Sequence, residues 1–155
     1  PSLQQQLDQK VQEIKQAVSS IDEQKAAKPP AEGEWCAKEV LSHVSGEDGS
    51  DAVSRYRRIL EEDTPLLEIH PGISYYEGRE KASVGELLAR IENQYGELGA
   101  FLAGLNEEQL NRKAHVPLLR ETPIGEYPTL SQQAMGLIHY HLNDHVNQLG
   151  NLSQQ

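Results

Sequence analysis

The sequence predicts an all-α protein folded as a four-helix bundle with two long connecting loops. Three observations carry that prediction. Apolar residues recur at spacings of three and four along four separate stretches, the period of a helix with one buried face. Prolines and glycines gather mainly between those stretches. Two of the stretches are preceded by a hydroxyl residue followed three positions later by Glu or Gln, a capping box.

Leu3 to about Ala27 reads as the first helix, on Leu3, Leu7, Val11, Ile14, Val18 and Ile21. "KPPAEGE" at 28–34 stops it, because two prolines and a glycine cannot continue the pattern. A second helix is predicted from about Cys36 to Glu62, on Val40, Leu41, Val44, Val53, Tyr56, Ile59 and Leu60, with Gly46 and Gly49 weakening its middle. The segment 63–81, "DTPLLEIHPGISYYEGREK", has no period and forms the first long connection. Ser83 and Glu86 then start a third helix that runs to about Gly104 on Leu87, Leu88, Ile91, Tyr95, Leu98 and Leu102. A short turn follows at "NEEQL". The second long connection, 111–128, carries an extended piece at Val116–Leu119. Thr129 and Gln132 open the last helix, which continues through about Leu152.

A chain of 155 residues organised this way is a single domain, 1–155, long enough to bury a core. No apolar run approaches the roughly 20 residues of a membrane span. The polar opening "PSLQQQLDQKVQEIK" lacks a signal-peptide pattern. With Cys36 as the lone cysteine there is no internal disulfide, and the expected location is cytoplasmic. The net charge of −10 argues against nucleic acid, which needs a basic footprint. "RYRR" at 55–58 is followed at once by "EED" and reads as a solvated helix face. A homodimer is compatible with a bundle of this size, although no exposed apolar stripe argues for one.

The chemistry lies in "GLIHYHLNDHVNQLG", where three of the chain's six histidines fall in one helix. Its expected buried stripe, Leu130, Ala134, Leu137/Ile138, continues to His141, His145, Gln148/Leu149 and Leu152. His141 and His145 are therefore neighbours one turn apart, and His139 points away. An unpartnered imidazole is costly to bury, and two at i, i+4 form a chelate for a divalent metal. The bland reading is a pair of hydrogen-bonded core histidines. His43, on a stripe of the second helix with Cys36, Val40 and Glu47 that faces inward or to the bundle's edge, is the candidate third ligand.

"EWCAKEVLSHV", a tryptophan before a helix and a histidine two turns on, resembles the start of helix two in the DinB/YfiT-like superfamily. Thr129-Leu130 followed by His141, His145 and Gln148 resembles that family's closing signature. The resemblance covers most of the chain. It implies a DinB-like bundle with one divalent metal ion, nickel, zinc or iron, held by His43, His141 and His145. It also implies a metal-dependent enzyme that activates water for hydrolysis or a low-molecular-weight thiol, such as bacillithiol or mycothiol, for transfer to a small molecule. Cys36 stands where the family often has Ser or Thr. Gly46, Glu47 and Asp48 stand where some transferase members carry an Asp and a further histidine.

Around that triad, Glu47 is the candidate catalytic base, and Gln148 a candidate partner of a ligand. Trp35 reads as a hydrophobic anchor and Cys36 as a small buried residue. His70 and His115 lie on the irregular connections. Tyr75 and Tyr76, with the loop 63–81, are expected to wall or cover a pocket, and Tyr140 to do so from the last helix. The alternative to an enzyme is a non-catalytic metal- or ligand-binding bundle, whose structural site would be closed by a fourth protein ligand. A metal-free bundle with satisfied core histidines is the third reading.

Overall fold

The computed structural model describes residues 1–49, 51–69 and 72–155. Helix α1 spans Leu3–Val18, and Ser2 and Gln5 cap its start reciprocally. It is shorter than expected. The chain leaves the helix at Ser19 and Ser20, and the Asp22 carboxylate then accepts from the Lys25 N–H to start a separate turn, α2, at Glu23–Ala26. Ser and Asp compete for backbone groups in a helix interior and favour such ends.

The second predicted helix is also two. Helix α3 spans Ala37–Ser45 and α4 spans Ser54–Glu61. Gly46 and Gly49 adopt φ of +75° and +83°, which no helix interior permits, so the two glycines end the element outright. The Asp51 carboxylate restarts the chain by accepting from the N–H groups of Val53 and Ser54.

Helix α5 spans Val84–Ala103, with Ser83 Oγ accepting from the Glu86 N–H at 3.1 Å. Only half the expected box forms, since Glu86 receives the Ser83 hydroxyl and not its N–H. A turn, α6, occupies Glu107–Leu110. The expected extended piece at Val116–Leu119 is instead a 3₁₀ turn over Pro117–Leu119, where proline lacks the donor a strand needs. Two isolated bridges, Leu66 with His115 and Lys113 with Thr129, are the β-type pairings among the described residues.

The last helix begins at Thr129, whose box with Gln132 forms in full at 3.0 and 2.9 Å. It runs as α7 over Leu130–Gly136, passes through a π-helical segment at Leu137–Leu142, and continues as α8 over Asn143–Ser153. Its buried residues are Leu130, Ala134, Ile138, Leu142 and Leu149. His141 therefore does not lie on the core stripe, as the α-helical period predicted, and Leu142 does. Steps of four drift around an α-helix, and the longer i→i+5 turn of the π segment absorbs the drift.

Helix α1 packs on α5 and α8, and α3 packs on the same two, so the order around the bundle is α1, α5, α3, α8. One contiguous core results, with Leu7, Ile14, Leu41, Ile91, Ile138 and Leu142 fully buried. No helix is long and apolar enough to cross a membrane among the described residues.

The end of the first long connection is strapped along α3. Tyr76 N–H donates to Ser42 Oγ at 3.2 Å, and Lys38 Nζ donates to the Glu80 carbonyl at 3.0 Å. Arg79, 3% exposed, donates to Ser45 Oγ, to the Gly46 carbonyl and to Asp48. These bonds hold the strap against the helix that carries His43.

Candidate metal centre

The diagonal arrangement of α1 and α3 leaves α3 beside the last helix, and this places His43 against His141 and His145. One ring nitrogen from each lies within 4.8 Å of the others. The ring centroids are 5.5 Å apart for His43 and His141, 4.9 Å for His43 and His145, and 4.8 Å for His141 and His145, all edge to face. His43 and His145 are half-buried, while part of His141 reaches solvent.

Crowding disfavours the protonated form of two of these rings, His43 and His141. Desolvation and the neighbouring His145 lower the pKa of His43. His141 is lowered to about 4, first by desolvation and then by the adjacent imidazoles, with Asp144 acting weakly the other way. Although His141 is partly solvated, three cations within 5 Å would repel one another, so the downward direction holds for geometric reasons.

Two of the rings, His145 and His43, are oriented from outside. Gln148 Oε1 lies 3.0 Å from His145 Nδ1, so that nitrogen donates and leaves Nε2 with its lone pair free. The Trp35 ring meets His43 edge-on at 5.3 Å. Gly72, on the strap, lies against the edge of the His43 ring, and a Cβ there would collide with Cε1 and sit 2.5 Å from Nδ1 and 3.0 Å from Nε2. His43 Nδ1 is buried without a hydrogen-bond partner. The Ile73 backbone lies close enough to favour a protonated ring slightly, but not in hydrogen-bond geometry to that atom.

Three imidazoles with converging nitrogens fit a divalent ion of the zinc or nickel kind. Among the described residues no carboxylate or thiolate joins the group. An ion held there would keep a side free of protein ligands.

The other sequence candidates fall elsewhere. Glu47 is exposed beyond the end of α3, on a small cleft with Asp48, Arg79 and Arg90. His139 Nε2 is 2.7 Å from Gln6 Oε1 on α1. His115 is bonded to Glu126 at 2.6 Å and stacked on Tyr127, away from the group. His70 lies outside the described residues. Cys36 is buried, with Sγ 3.3 Å from the Tyr75 hydroxyl, and Tyr140 is exposed. Gly72 is the contact that sequence reasoning missed, its one signal being a glycine in the loop expected to cover a pocket.

A cleft of about 580 Å³ opens beside His145. Glu34 and Trp35 form one wall, and Gln148, Asn151 and Leu152 of α8 form another. That volume lies within the usual range for small-molecule sites.

Comparison with known proteins agrees with this architecture. The family model of the DinB superfamily matches residues 6–149. The structure of YfiT from Bacillus subtilis, described as a probable metal-dependent hydrolase with an unusual four-helix bundle topology, superposes with a TM-score of 0.76 at 25% identity. The alignment covers 98% of this chain and 84% of that one. No curated protein matches.

Proposed function

This chain belongs to the DinB superfamily, and from that premise we propose that it is a metal-dependent hydrolase acting on a small molecule, with His43, His141 and His145 as the metal ligands. The observation that carries the proposal is the convergence of three imidazole nitrogens from two helices, with no carboxylate or thiolate alongside them among the described residues. The likeness to YfiT supports the hydrolytic reading over a purely structural one. When bound, a divalent ion supplies a Lewis acid and makes water a nucleophile near neutral pH.

The chain's own residues prepare that chemistry. The lowered pKa values of His43 and His141 leave their lone pairs available with less competition from protons. Gln148 fixes the His145 ring so that Nε2 faces the group. The strap covers the outer side of His43 and buries its Nδ1. A thiol in place of water would turn the same centre into a transferase, and the experiment below separates the two.

Elemental mass spectrometry on the untagged protein, beside a His141→Ala/His145→Ala double variant, tests the ligand set. Near-stoichiometric nickel, zinc or iron is expected in the native protein and loss of it in a still-helical variant. Equal metal in both would sink the assignment. A panel of esters and amides, run with and without added thiol, then tells hydrolysis from transfer.

A further inference from the structure

We propose that the cleft beside His145 is built for a small molecule carrying an ammonium group next to an apolar or aromatic portion, and that Glu34 and Trp35 recognise it. Calling that molecule a substrate rests on the hydrolase reading; the charge preference of the cleft does not.

Four observations carry the proposal. Among the described residues no lysine or arginine lines the cleft, and Glu34 is its one acidic side chain. That carboxylate makes no side-chain hydrogen bond or ion pair among the described residues, so it is available to a ligand. Trp35 follows it in sequence and lines the same wall. The indole therefore joins the cleft to the metal centre, because it also touches His43. Across the cleft stand the amides of Gln148 and Asn151 and the apolar Leu152, which supply hydrogen bonds and contact area without charge.

A carboxylate beside an aromatic ring suits a cation, which gains from both the ion pair and the ring face. The net charge of −10 draws cations toward the molecule and repels anions. A neighbouring hollow around α2 does hold Lys25 and Lys28. Lys25 is bonded to the Ser153 carbonyl at 3.2 Å, and neither lysine lines the cleft at His145.

Trp35 is the chain's only tryptophan, so its fluorescence reports this cleft and the His43 ring beside it, which is why the titration is run with and without chelator. The test titrates the purified full chain, before and after chelator treatment, with benzyltrimethylammonium and with phenylmethanesulfonate. Neither probe is a strong metal ligand. Saturable quenching by the cation is expected, with a Kd at least tenfold below that of the sulfonate. Glu34→Gln should bring the two within about twofold, and Asp22→Asn, in the neighbouring hollow, should leave the gap intact. The proposal is overturned by absent saturation with the cation, by equal or tighter sulfonate binding, or by a preference that survives Glu34→Gln. Metal analysis of the same samples separates the two readings. A cation preference without metal defeats the hydrolase and leaves the cleft standing, and metal without the preference does the reverse.

Discussion

Alanine at Gly72 would place a methyl carbon 2.5 Å from His43 Nδ1 and 3.0 Å from Nε2. The ring's Cε1 would be nearer still, and comfortable contact for such atoms begins near 3.5 Å, so strap or ring must move by more than about 1 Å. Gly72 does not have a left-handed φ, and the cost is therefore steric, not conformational. Overpacking of this kind costs about 1–3 kcal/mol, and the loss of glycine's freedom in the unfolded chain offsets about 0.4–1 kcal/mol of it. A net destabilisation of about 1–2 kcal/mol is expected in metal-free protein.

With His43→Ala in place the collision disappears, and Gly72→Ala should become neutral or slightly stabilising. Urea denaturation of the four proteins of this cycle, with chelator present, should give a coupling energy of about 1–3 kcal/mol. Displacing His43 should also weaken metal binding by about 10- to 100-fold, as loss of a ligand's supporting contact commonly does. A competition titration against a chromophoric chelator measures this in the single variant. Additivity within about 0.5 kcal/mol, together with an unchanged metal Kd, would refute the idea that the strap sets the position of His43.

Three further outcomes follow from the same geometry. The lowered pKa values of His43 and His141 mean that the unfolded chain binds more protons between the usual pKa of 6.5 and about 4. Metal-free protein should therefore lose stability as pH falls from about 7 to 4.5. Thermal melts in chelator check this, and His141→Gln should flatten the dependence, whereas a flat native profile would contradict it. Arg79→Ala removes a buried guanidinium that joins the strap to Ser45, Gly46 and Asp48, and should cost about 2–3 kcal/mol in urea unfolding. Leu142→Ala should cost about 2–5 kcal/mol, because Leu142 is fully buried, while Glu47→Gln, away from the histidines, should leave metal content unchanged. A cost below about 1 kcal/mol for Leu142→Ala would contradict the orientation of the π segment.

Helix spacing alone reached the four-helix architecture because amphipathic periods are local. Thr129 with Gln132 marked the last helix start to the residue. Breaks inside predicted helices were less legible. Gly46 and Gly49 each cost a helix only about 1 kcal/mol on propensity, and their positive φ values depend on tertiary packing. The strap was invisible for the same reason. Its contacts with Ser42, Ser45 and Lys38 join residues more than 30 positions apart, and no period encodes them.

The histidine pair shows how a local rule can fail in one respect and hold in another. An unbroken α-helical stripe ran through His141 and His145 and put both in the core. The π segment instead gives the core position to Leu142 and turns His141 to the core's margin. The pair survives this change because side chains four residues apart stay on one side of the helix whichever way the turn rotates. The margin also suits the proposed chemistry better than the core does. At full burial the three imidazoles would need protein partners for every nitrogen. Beside the cleft they can keep lone pairs directed toward an ion and a substrate, while Gln148, Gly72 and Trp35 hold the rings from behind.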